Sequence, residues 1–156
     1  MAEATPPSPF FSRPAGRALL LVGRLALGAT FLYAAYSKLR HPWALFAMAV
    51  NSYQLLPDWA VVAVARVLPW LELALGLLLV LGYKLRYIAA AASALLLLFF
   101  SVMVRSYFKR LGIDCGCFGL GEKLGVRTLV RDGLFVLFSL SLTAAAFRRS
   151  RLTTPL

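Results

Sequence analysis

Four long apolar blocks dominate the chain and decide what it can become: Ala18 to Tyr36, Ala60 to Gly82, Tyr87 to Val104, and Leu129 to Phe147. A helix that crosses a bilayer needs about 20 mostly apolar residues. Each block meets or approaches that length, so the sequence predicts an all-α membrane protein, a four-transmembrane-helix bundle, and excludes a soluble globular domain. Composition agrees: 61% of the residues are apolar and 15% charged, against about 45–50% and about 25% in soluble domains. The fourth block is the weakest, because Arg131 and Asp132 stand near its start. From Gly133 to Phe147 it offers about 22 Å of helix, enough to span with Arg131 and Asp132 at the interface; three spans with a re-entrant end is the alternative.

The expected organisation is a disordered, Pro-rich tail over 1–16, one transmembrane domain over 17–148 with spans at about 18–36, 60–82, 87–104 and 129–147, and a basic tail over 149–156. The first block follows Arg13 and Arg17 as a signal peptide would, but Arg24 interrupts it and it is long for the apolar part of a cleaved leader. It reads as a retained span. The net charge of +11 flanks the apolar blocks, which fits lipid headgroups and topology signals rather than nucleic acid.

The second and third blocks are separated by Tyr83 to Arg86 alone, which forces an antiparallel hairpin. Residues 37–59 join the first two blocks; Pro42 is placed to start a short interfacial helix and Pro57 to end one, with Trp43, Tyr53 and Trp59 suited to the headgroup zone. Residues 105–128 form a charged, Gly-rich link between the third and fourth spans. Counting cations on the two sides gives seven (Arg13, Arg17, Lys84, Arg86, Arg148, Arg149, Arg151) against eight (Lys38, Arg40, Arg105, Lys109, Arg110, Lys123, Arg127, Arg131). The count leaves topology open, and the compactness of the first set favours termini inside and the 105–128 link outside.

That link holds the sharpest chemical feature, Asp114-Cys115-Gly116-Cys117-Phe118-Gly119, with the chain's two cysteines. A disulfide needs Cα atoms about 4.4–6.8 Å apart, which residues two apart reach only where the backbone turns, and Gly116 permits a turn. Such a ring closes almost no loop, so it stabilises little; strain would make it readily exchanged. Lys109, Arg110 and Lys123 favour the thiolate and Asp114 opposes it. Redox chemistry, a plain structural role and metal binding remain open. Two thiolates and the single His41 do not complete a zinc site, so no metal is expected.

Ions inside the spans are the second feature. Arg24, Arg66 and Glu72 lie within apolar blocks, where each costs at least about 2.5–3.5 kcal/mol unless it faces a partner. At about 1.5 Å per residue, Arg24 is about 9 Å and Glu72 about 15 Å from the same face. An Arg24–Glu72 pair is therefore expected, with Arg66 and Lys38 nearer the other face. It reads either as a structural bolt or as a proton or substrate site. Small residues (Gly28, Ala29, Ala34, Ala35, Ala89 to Ala92) allow close helix packing, and Pro69 is placed to kink the second span.

In this order the pieces resemble the DoxX-like, MauE-type redox-associated membrane proteins. The resemblance covers about residues 17–147: Arg24 in a first span ending Ala34-Ala35-Tyr36-Ser37-Lys38-Leu39, then Tyr53-Gln54-Leu55-Leu56-Pro57, Leu68-Pro69-Trp70-Leu71-Glu72, Cys115-Gly116-Cys117-Phe118-Gly119 and Arg131-Asp132. It implies a multi-pass four-helix protein of the bacterial cytoplasmic membrane that assists thiol–disulfide chemistry of exported proteins with a thioredoxin-like partner; the methylamine-linked members serve maturation of a disulfide-rich dehydrogenase subunit. Its functional positions carry over to Cys115 and Cys117, supported by Glu72, Arg24 and Lys38, with Asp114, Gly116 and Phe118 around the pair. A single cysteine pair leaves two routes for electrons, a quinone met directly or a separate regenerating protein; the second is simpler, so no cofactor is expected. A non-enzymatic assembly factor or anchor, and a transporter using Glu72, working as a homodimer, are the competing classes.

Overall fold

In a computed structural model, residues 14–109 and 124–152 are described. The order is α1 (Pro14–Leu39), α2 (Trp43–Ser52), α3 (Asp58–Leu81), α4 (Leu85–Phe108) and α5 (Val126–Leu152). Four of these, α1, α3, α4 and α5, are long and apolar enough to cross a membrane; α2 is a short apolar helix between two of them. The four-helix membrane bundle expected from hydropathy is the observed architecture. Large apolar side chains line the outside of the spans, among them Leu21, Val67, Leu77, Leu98 and Leu137, as expected of helices long and apolar enough to contact lipid.

The turns follow from local chemistry. α3 ends at Gly82 in the left-handed region (φ +73°). There the Gly82 N–H donates to Leu79 O and the Tyr83 N–H to Leu78 O, the paired bonds of a Schellman stop. Lys84, also at positive φ, then opens α4, so the hairpin read from Tyr83 to Arg86 is present. Pro42 precedes α2 as expected. Pro57, expected to end that short helix, instead caps the N-terminus of α3, because α2 already stops at Ser52; proline tolerates a helix start, where no N–H is needed.

α1 packs chiefly on α3, and α4 on α5. Between α1 and α3 the backbones come close at glycine. A Cβ on Gly28 would meet Val80 Cγ2 at 2.7 Å and Gly76 O at 3.1 Å, and one on Gly76 would meet Leu32 within 3.0 Å. Between α4 and α5, Ser93 Oγ bonds to Ser139 Oγ (2.6 Å) and Thr143 Oγ1 (2.9 Å); Ala89 and Ala92 are fully buried on the same helix. The main apolar core joins Leu20, Leu27 and Phe31 of α1 to Leu75 and Leu79 of α3, Ala89 and Ala92 of α4 and Leu142 of α5. That core fills the end of the bundle near the α3–α4 turn.

Candidate functional site

The opposite end of the bundle holds a buried ion pair. Gly28 lies against Gly76 and Val80, and Gly76 against Leu32. This antiparallel register, carried along the pair, sets Arg24 opposite Gly82 and Glu72 opposite the Ala34 to Tyr36 turn. Helix side chains lean toward their own N-terminus. Lys38, near the C-terminal end of α1, therefore leans back one turn, and Glu72 of α3 leans the other way to meet it. Lys38 Nζ donates to both carboxylate oxygens of Glu72 at 2.9 Å and lies 3.5 Å from Ala34 O. The two residues are 7% and 5% exposed, and the ammonium stands 5.4 Å from the ring centre of Phe46 on α2.

The Arg24–Glu72 pair expected from depth along the spans is therefore wrong: Glu72 is held by Lys38. Arg24 leans toward the N-terminus of α1, away from Glu72. Its guanidinium occupies the space where a Cβ of Gly82 would stand, at the C-terminal, electronegative end of α3. Its Nε is buried without a hydrogen-bond partner. Arg66, the other span cation, stacks at 4.6 Å on the ring of Trp43.

Beside the Lys38–Glu72 pair lies a cavity of about 300 Å³ to which all five helices contribute. Its wall is almost wholly apolar and rich in rings, with Phe31, Phe46, Phe99, Phe100 and Phe135. Asp132 of α5 also lines it, 8% exposed, its Oδ1 accepting from Arg131 Nε at 2.9 Å. A second, more open hollow adjoins α2 and is lined by His41, Trp43, Arg66 and Trp70; Lys38 and Phe46 belong to the walls of both. The cavity lies in the half of the bundle formed by the end of α1, the start of α3, the end of α4 and the start of α5. α4 ends and α5 begins at that same end.

Asp114, Cys115, Gly116, Cys117 and Phe118 lie outside the described residues. Among the described residues, no group of three or more His, Cys, Asp or Glu side chains comes together. Sequence reasoning treated Asp132 as an interface marker and missed its place in the cavity wall. A signal was present: Thr128, Asp132, Ser139 and Thr143 recur at helical spacing inside an apolar span. The first three are buried, and Thr143 bonds to Ser93.

Across residues 16–146 the chain matches the family described as methylamine utilisation protein MauE. It is 40% identical over 124 residues to the methylamine utilization protein MauE of Paracoccus denitrificans, covering 79% of this chain and 63% of that protein. It is 37% identical over 91 residues to the protein of the same name from Methylorubrum extorquens, covering 58% of this chain and 48% of the relative. A third, from Methylophilus methylotrophus, is 43% identical over 74 residues, 46% of this chain and 38% of the relative. The chain thus spans less than two thirds of the length of each of these relatives. No solved structure matches it.

Proposed function

This chain belongs to the methylamine utilisation protein MauE family, and from that premise we propose that it assists thiol–disulfide exchange during maturation of an exported, disulfide-rich protein, with a thioredoxin-like partner. The observation that carries the reading is the Cys115-Gly116-Cys117 run, which lies in sequence between α4 and α5. The family name of the relatives supports a client in methylamine metabolism, of the methylamine dehydrogenase kind. The exchange balances without a cofactor. A client thiolate attacks the Cys115–Cys117 disulfide and forms a mixed disulfide, displacing one thiolate. The second client thiol then resolves it, leaving an oxidised client and a reduced pair. A thioredoxin-like partner in its disulfide form then accepts the two electrons by the same exchange, its own disulfide being reduced to a dithiol as the Cys115–Cys117 bond is restored.

The site belongs to the cytoplasmic membrane on this reading, with the cysteine segment on the outer side, where exported clients fold in an oxidising compartment. Single Cys115→Ser and Cys117→Ser variants test it. One of them should accumulate a mixed disulfide with client or partner, visible on non-reducing gels, and both should lose client maturation. A Cys115→Ser/Cys117→Ser chain that still supports full maturation overturns the exchange reading and leaves a docking role for the bundle.

A further inference from the structure

We propose that the cavity beside Lys38 and Glu72 is a binding site for a neutral, ring-headed, membrane-soluble molecule of the lipid quinone class. Three observations carry this.

The first is size and position. About 300 Å³ is room for roughly ten waters by liquid volume, at the lower edge of small-molecule sites. The wall is apolar, so water gains little there, and all four helices long and apolar enough to span a membrane contribute to it.

The second is charge. Both carboxylates on the wall are already matched, Glu72 by Lys38 at 2.9 Å and Asp132 by Arg131 at 2.9 Å. A fatty acid or phospholipid headgroup would bring a further anion beside these carboxylates, with its own desolvation cost. A neutral head avoids that. The Glu72 carboxylate, held in place by Lys38, keeps lone pairs that can accept from a hydroxyl of the quinol form.

The third is shape. Five phenylalanines, Phe31, Phe46, Phe99, Phe100 and Phe135, face the cavity. Aromatic rings pack best on other flat rings, stacked with an offset or edge to face. That favours a conjugated ring over a lone acyl chain.

The test uses the purified 156-residue chain in neutral micelles with decylubiquinone as the probe, followed by titration calorimetry. Saturable one-site binding is expected, with palmitate failing to compete at equal concentration. Ala49→Phe and Val64→Phe each place a ring into the cavity from a different helix and should weaken binding at least tenfold while the helical circular dichroism is kept. Two variants guard against loss of fold in either. Lys38→Met should weaken it several-fold, and Cys115→Ser/Cys117→Ser should leave it unchanged, so failure of the exchange reading and failure of this one are told apart. Absence of saturable binding, unaltered affinity in both cavity-filling variants, or loss of the decylubiquinone binding signal when the protein is first saturated with palmitate at equal concentration would each overturn the proposal, the last by showing a site for acyl chains.

Discussion

Lys38 and Glu72, thirty-four residues apart, meet as a buried pair with Nζ 2.9 Å from each carboxylate oxygen. They close the side of the bundle where α1 ends. The pair ties the end of α1 to the middle of α3, and its environment makes it unforgiving of single changes.

Removing one partner strands a charge in an apolar interior. Lys38→Met alone or Glu72→Leu alone should each cost about 3–5 kcal/mol. The double replacement should cost far less than the sum, since no ion is then left unpaired. Urea unfolding in mild detergent, followed by helical circular dichroism, gives the coupling through a double-mutant cycle. Additive effects would mean that the two charges do not depend on each other.

The close approach of α1 and α3 rests on missing side chains. Gly28→Ala and Gly76→Ala each drive a Cβ into contacts at 3.1 Å or less, including backbone atoms that cannot step aside. Each should destabilise the fold by about 1–3 kcal/mol. Gly133→Ala meets only the Phe100 ring, at 3.4 Å, and should be nearly silent. Thermal melting of the three variants side by side checks the ranking.

Gly82 carries two separable demands. Any Cβ there meets the Arg24 guanidinium, and φ is +73°. Gly82→Ala should therefore lower stability by more than the ~1–2 kcal/mol of a left-handed non-glycine residue. Gly82→Ala combined with Arg24→Ala should lose only the backbone part of that penalty. If Arg24→Ala gives no relief, the guanidinium is not what fills the space.

The α4–α5 seam depends on hydroxyls. Ser93 bonds to both Ser139 and Thr143, so Ser93→Ala removes two bonds and Ser139→Ala one. Interhelical bonds of this kind average about 0.6 kcal/mol in membranes, with a maximum near 1.7. Ser93→Ala should be the more damaging of the two in the same unfolding assay, and equal effects would contradict the shared bond.

Hydropathy was enough to read the four spans, the hairpin at Tyr83 to Arg86 and the short helix after Pro42, because in a bilayer each helix satisfies its own backbone and its length is set by the lipid. The cysteine run and the family likeness were likewise legible from local order alone. Which ions meet was not. Depth along isolated helices paired Glu72 with Arg24. The outcome was decided by the register that Gly28 and Gly76 impose between α1 and α3, and by the lean of each side chain toward its helix N-terminus, which carries Lys38 toward Glu72 and Arg24 toward Gly82. The cavity is a tertiary property in the same sense. Its wall draws on all five helices, and residues as ordinary in sequence as Phe46, Phe99 and Asp132 face a common space only once the α1–α3 and α4–α5 pairs are set against each other. Transfer free energy fixes spans one at a time, whereas register and cavity arise from packing between them.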